Sequence, residues 1–377
     1  MRISLQQKRT FVLLIILTIA SLPLNGFAQK PATAQSQAQP ETQAPSVLPA
    51  SNLELVATSD YQWTGVAVSQ TGRIFVNFPR WSDDVPISVA ELVDGKATPY
   101  PNAEINMWHN GLDPTTHFVC VQAVYIDGKN NLWILDPASP QFKGVIPDGP
   151  KLVKVDLKTN TITKTYPFSA DVAPEKSYLN DVRIDTAHDF AYMTDSGLGA
   201  IIALNLKTGK AKRFLTKSPT TKSEDVVLTI NGNKWLQNGN APQVHSDGIA
   251  YDPKEDILYF QALTGRTMYA IPASVLRDFS LSPETVEKHV RAVGETGAAD
   301  GLLFGPDNKV YISALEHNAV MRTTPSGQVE IVVSSPEINW VDSFSLGPDN
   351  ELYFTDSFIN MMPSYKGPYN LYRIKLP

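Results

Sequence analysis

The sequence predicts an all-β chain folded as a six-bladed β-propeller, on three observations. One pattern recurs six times: a short apolar strand, a turn rich in Asp, Gly, Asn or Lys, then a strand carrying an aromatic residue. The copies begin at Thr64, Gln122, Asp181, Asp247, Asp300 and Asp342, at intervals of 58, 59, 66, 53 and 42 residues, room for a four-stranded blade with its loops. Only 36 residues run from Asp342 to Pro377, too few for the last blade, and residues 53–58 (LELVAT) can supply its missing outer strand. That closes the ring and hides the two edges that an open array of blades would expose.

Each copy reads as a hairpin by its own chemistry. The turns Asp-Gly-Lys-Asn, Asp-Pro-Lys-Glu and Gly-Pro-Asp-Asn favour reversal, and the flanks are β-branched and aromatic. The opening residue stands 11 positions before the aromatic one in five copies, and the fourth has one extra residue in its turn. Segments between copies, such as KLVKVDLKTNTITKTYPF and AIIALNLKTGKAKRFL, supply outer strands.

Ahead of the repeat, residues 1–28 read as a secretory signal. Arg2, Lys8 and Arg9 precede an apolar run from Phe11 to Leu24, and Gly26-Phe27-Ala28 offers small residues for cleavage. The run is about 14 residues, short of the roughly 20 that span a bilayer, and no other stretch is long and apolar enough to cross one. The chain is therefore expected to be secreted or periplasmic. Residues 29–50, rich in Gln, Ala and Pro, are expected to form a disordered tether, and the propeller to begin at Ser51.

Composition narrows the partners. With the three basic residues of the signal set aside, 29 Lys and Arg face 38 Asp and Glu. That excess of acid argues against a nucleic-acid partner, which needs a basic face. Cys120 is the single cysteine, so no intrachain disulfide can form. It sits in an apolar strand-like run without a basic neighbour, as a structural thiol does. The expected partner is a small molecule, and the chain is read as a monomer.

The innermost strands of a propeller line its channel, so the six opening residues gather at one mouth: Thr64, Gln122, Asp181 with Asn180 beside it, Asp247, Asp300 and Asp342. Four carboxylates around one axis repel, which raises some of their pKa values unless cations or donors balance them. Two readings are open. Asp181, Asp247 and Asp300 could ligate Ca²⁺ or another divalent cation, which takes 6–8 oxygen ligands. Alternatively the acids cap neighbouring strand ends through backbone N–H groups. Asp136, Asp195 and Asp356, at the ends of the second strands, read as structural.

Loops over the channel carry aromatic, amide and imidazole groups suited to an organic ligand: residues 77–84 with Arg80 and Trp81, residues 100–117 with Trp108 and His109, and residues 231–246 with Trp235 and His245. Candidate ligand-binding residues are Thr64, Arg80, Trp81, Gln122, Asn180, His245 and Asp342. The weak candidates for proton transfer are Asp181, His245 and Asp247. No G-x-S-x-G elbow, H-E-x-x-H, paired C-x-x-C or phosphate-cradling glycine loop is present.

Over roughly residues 52–360 the chain resembles the yellow/major royal jelly family. The segments that carry the likeness include IFVNFPRW (74–81), LWILDPAS (132–139), NDVRIDTAHDFAYMTDSGLGAIIALNL (180–206) and AVGETGAADGLLFG (292–305). The resemblance implies a secreted six-bladed propeller whose members are linked to dopachrome conversion or to binding biogenic amines in the channel. It supplies no catalytic motif to transfer, and the insect members' disulfides are impossible here. A more distant similarity is to the senescence-marker/gluconolactonase propellers, which hold a divalent metal at the channel. Asp247-Gly248 and Asp300-Gly301 fit that style, but Thr64 stands where the pattern opens with Glu, so a ligand and a base are lost. The functions to separate are thus a binder or tautomerase of catecholic compounds, a metal-dependent lactonase or esterase, and a non-catalytic interaction protein.

Overall fold

The computed structural model describes residues 47–376. Six four-stranded antiparallel sheets form the blades of a propeller. Their innermost strands are Val66–Val68, Ala123–Ile126, Leu179–Asp185, Ser246–Asp252, Leu302–Phe304 and Val341–Leu346. Each of these touches the next in cyclic order, and the sixth touches the first, so the ring is closed.

The recurring aromatic residue explains why the repeat builds a ring. Phe75, Trp133, Tyr192, Tyr259, Tyr311 and Tyr353 are all buried. Each belongs to a different apolar cluster, and each cluster lies between two neighbouring blades. One ring therefore wedges each of the six interfaces. Truncating such a residue costs about 3–5 kcal/mol, so the periodic aromatic is the main apolar tie from blade to blade.

Side chains on the second strands add polar ties. Asn77 donates through Nδ2 to the carbonyl of Gln122 at 3.0 Å, from blade 1 to blade 2. Thr194 donates to the carbonyl of Asp247 at 2.6 Å, from blade 3 to blade 4. Thr355 donates to the carbonyl of Thr64, which ties blade 6 back to blade 1. Neighbouring blades come so close here that a Cβ at Gly248 or Gly301 would collide with the backbone oxygen of Asp300 or Asp342 in the next blade. The Gly of each Asp-Gly pair is there for close approach.

Ring closure follows the sequence expectation. The strand Glu54–Ser59 pairs antiparallel with Tyr369–Lys375 as the outer strand of blade 6. The propeller begins earlier than Ser51, however. Val47 and Leu48 donate backbone N–H groups to the carbonyls of Ile331 and Val332 on blade 5, at 2.9 and 2.8 Å. The last residues assigned to the tether are thus held by an outer strand with free acceptors, a partner local composition does not reveal. The signal at 1–28 and the tether at 29–46 lie outside the described residues. Among the described residues no helix is long and apolar enough to cross a membrane.

Candidate functional site

Pairing slips at the same place in three blades. The register shifts between Leu179 and Val182, between Ser246 and Ile249, and between Val341 and Phe344. These bulges contain Asp181, Asp247 and Asp342. A bulge frees a residue from the ladder and re-aims its side chain, which is how the opening acids leave the sheet for the channel.

All four opening acids are held above the ordinary carboxylate range, Asp247, Asp300 and Asp342 well above it, and burial is the first cause in each. Their partners differ. Asp181 is paired with Arg183 at 3.3 Å. Arg183 also donates to the carbonyl of Leu302, two blades away, at 2.6 Å, and lies over the ring of Tyr125. Asp247 and Asp300 lie together on the cavity lining, and the charge of Asp247 adds to burial in raising Asp300. Asn180 supports Asp247, and the indole N–H of Trp340 donates to Asp300 at 2.6 Å. In Asp342, Oδ2 is buried without a partner.

Above the Asp247–Asp300 pair lies a cavity of about 370 Å³, lined by Trp81, Phe142, Tyr178, Trp235, Gln122, Asn180, Asp247 and Asp300 among others. Its walls are aromatic. Trp81 and Phe142 stack at 5.4 Å, Phe142 meets Tyr178 at 5.1 Å, and Trp235 packs edge-on against Trp340 at 4.9 Å. Phe142 has φ 56°, a left-handed conformation that strains a bulky side chain. These two ring contacts hold it.

A directed relay orients the polar wall. Trp81 Nε1 can only donate, and it donates to Tyr178 Oη at 2.7 Å. The Tyr178 hydroxyl in turn donates to Gln122 Oε1 at 2.9 Å. Gln122 is thereby fixed with its amide N–H₂ as the end left for a ligand. Cys120 lies behind this wall, its Sγ 3.9 Å from Tyr178 Oη. Burial pushes its thiol up to about 12, so it stays protonated and is not a nucleophile.

The sequence candidates divide accordingly. Trp81, Gln122, Asn180, Asp247 and Asp300 come together at the cavity. Thr64 does not line it, because its hydroxyl is spent on the carbonyl of Gln122 at 3.2 Å and on Asn77 at 2.9 Å. Asp181 and Asp342 lie outside the lining as well. His245 is half-buried, and its Nδ1 accepts the N–H of Ser223 at 3.0 Å. Burial, with Lys222 nearby, lowers its pKa. Its backbone helps hold the loop, and its ring does not line the cavity. Arg80 faces a separate cavity. Phe142 and Tyr178 were not among the candidates. Their only sequence signal is aromatic character in loops, Phe142 between the second and third strands of blade 2 and Tyr178 just ahead of blade 3.

The acids do not fit a resident divalent cation. Asp181, Asp247 and Asp300 do not bring three ligand oxygens within 4.8 Å of one another, and Asp181 and Asp300 are partnered by a guanidinium and an indole. The described residues hold one such convergence, at Asp185, His188 and Asp256. There Arg277 already donates to Asp185 at 3.0 Å and to Asp256 at 2.6 Å. A cation would have to displace it.

A closed ring of six blades with an aromatic-walled, acid-floored cavity at one channel mouth defines the class: a six-bladed β-propeller with a candidate small-molecule site on its axis. Residues 119–365 match the model of the family described as major royal jelly protein, and the chain belongs to that family. It is 23% identical to Protein yellow of Drosophila guanche, over 71% of this chain and 50% of that protein. It is 22% identical to the dopaminechrome tautomerase of Drosophila melanogaster, over 60% of this chain and 51% of that protein. The chain thus spans about half the length of these curated relatives. Among solved structures it shares its fold with a gluconolactonase from Xanthomonas campestris, at a TM-score of 0.53 and 14% identity over 86% of this chain and 89% of the other. A calcium-binding regucalcin from Agrobacterium tumefaciens gives a TM-score of 0.51 at 14% identity, over 89% and 98% of the two chains.

Proposed function

We propose that this protein binds a small aromatic or catecholic compound in the channel-mouth cavity and tautomerises it. The single observation that carries the reading is that two buried acids with raised pKa values, Asp247 and Asp300, line one cavity beneath aromatic walls. Two like acids in one buried site share a proton, so one is a base while the other is an acid. On a cyclised quinone the ionised carboxylate takes a proton from a ring carbon. The C–H electron pair becomes a ring double bond, and the carbonyl π pair closes onto oxygen. The protonated carboxyl delivers its proton to that oxygen. Nothing is oxidised or reduced overall, and the pair ends with the proton count it began with.

Supporting groups have plain roles. Trp81, Phe142, Tyr178 and Trp235 stack on a planar ring and exclude water, and Gln122 and Asn180 hydrogen-bond its oxygens. The likeness to a dopaminechrome tautomerase favours the same class of substrate. The site is built within one chain, so the reading needs no second subunit. The amino-terminal signal favours action outside the cytoplasm.

The test is turnover of aminochromes followed by the loss of their visible absorbance, with calorimetric titration of a panel of catechols. Asp247→Asn is expected to lower kcat by about 10²–10⁴-fold, the usual worth of a positioned acid or base. Undiminished turnover in Asp247→Asn, or no heat with any catechol, would sink the proposal.

A further inference from the structure

A second cavity, of about 620 Å³, opens beside the first and is lined by Arg80, Trp108, His109, Ile146 and Glu175 among others. The Phe-Pro-Arg-Trp element divides its last two side chains between the two spaces: Trp81 walls the channel cavity, and Arg80 faces this one. Arg80 is rigidly held. Its Nε donates to the carbonyl of Val119 at 3.2 Å, its Nη1 donates to that of Val85 at 2.9 Å, and its guanidinium lies over the ring of Trp108 at 5.7 Å.

What it lacks is a counter-ion. Among the described residues no carboxylate lies at ion-pair distance from Arg80, and Nη2 has no hydrogen-bond acceptor. Two acids favour the cation from a distance: Asp136, whose charge is taken by Lys151 at 3.1 Å, and Asp83, which accepts from Gln141. Burial works against the Arg80 cation, lowering its pKa. Trp108 is 7% exposed, and its indole N–H is buried without a partner. A preformed guanidinium with three of its five N–H groups unused, two of them on Nη2, in a cavity with an aromatic wall, suits a planar carboxylate. Asp83, Glu175 and Lys143 also line the space, so the two acids offset the two cations and disfavour a polyanion such as phosphate. Pro140, Ile146 and Pro147 offer apolar surface to a ligand's tail.

We infer that Arg80 and Trp108 form a second binding site, for an organic monocarboxylate with an aromatic or apolar tail. The site is independent of the channel reading and shares no lining residue with that cavity.

The experiment titrates benzoate, its neutral isostere benzamide, and inorganic phosphate into ¹⁵N-labelled protein while following the six indole N–H resonances. Trp108→Phe identifies the Trp108 signal. Benzoate is expected to move that signal, and to bind about tenfold or more tightly than benzamide, the usual worth of a charge-assisted hydrogen bond. Arg80→Gln is expected to abolish the benzoate response while the other indole signals stay in place. That variant also loses two contacts to backbone carbonyls. If it does not fold, the benzoate-to-benzamide contrast on the unaltered protein decides the matter alone. Equal affinity for the two probes, benzoate shifts confined to Trp81 and Trp235, or displacement of benzoate by phosphate would each overturn the assignment.

Discussion

Two sets of buried aspartates stand one strand apart in this propeller and differ in the donors that surround them. At the second-strand ends, Asp136 accepts the N–H groups of Val119, Cys120 and Ala138 at 2.7–3.0 Å, and Lys151 at 3.1 Å. Asp195 accepts Tyr178, Gly197 and Leu198 N–H groups at 2.9–3.1 Å, with Arg213 at 2.6 Å. Asp356 accepts Trp340 and Asn339 N–H groups at 2.6 and 2.9 Å and, among the described residues, is paired with no cation. Each holds down the loop that leads into its own blade. At the first-strand starts, Asp247 and Asp300 lie together on the cavity lining, and Asp342 keeps an oxygen without a partner. Burial alone therefore does not separate the two sets. The number and charge of their donors does.

The comparison breaks most sharply at Asp136. Asp136→Ala strands a buried ammonium and three N–H groups, so a loss of about 3–5 kcal/mol is expected in chemical denaturation. A loss below about 1 kcal/mol would mean that the donor-rich set is not structural.

Asp356 sharpens the contrast through pH. Burial pushes its carboxyl up to about 6 from 3.8, against the pull of its backbone donors. A raised carboxyl binds its proton more tightly in the folded state. Its contribution is fully present below pH 3.8 and is lost as pH rises through about 6, by about 3 kcal/mol in all. Asp247, Asp300 and Asp342 push in the same direction. Urea midpoints measured from pH 4 to 7 should fall less steeply in Asp356→Asn than in the unaltered protein. Identical slopes would remove Asp356 from the account.

The repeat made most of the fold legible. Spacing and turn chemistry in the sequence identify six hairpins, the opening residue of each, and the strand that closes the ring. The site was half legible. Asp247, Asp300, Gln122 and Asn180 follow from the repeat because blade geometry fixes where an opening residue points. Phe142 and Tyr178 do not, because their places depend on contacts between loops far apart in the chain. His245 misled for the same reason: two residues from Asp247 in sequence, its ring turns to the N–H of Ser223. The two sets of acids look alike as text, since donors supplied by another loop cannot be read from a strand.

Two smaller effects complete the contrast. Gly301→Ala forces a methyl group against the carbonyl of Asp342 and should cost about 1–3 kcal/mol. A neutral result would mean that the blades can part at that point. Asp300→Asn keeps an acceptor for Trp340 and removes a repelling charge, so stability at pH 7 should stay level or rise by about 1 kcal/mol. A fall of 2 kcal/mol or more would place Asp300 with the structural set.

The pairing of Glu54–Ser59 with Tyr369–Lys375 has a consequence for how the molecule comes into being. The clasp joins segments from opposite ends of the propeller sequence, so the ring stays an open arc until translation has reached its last strand. Until then the sixth blade presents an unpaired outer edge, and the two halves of the clasp can pair with edges of other chains.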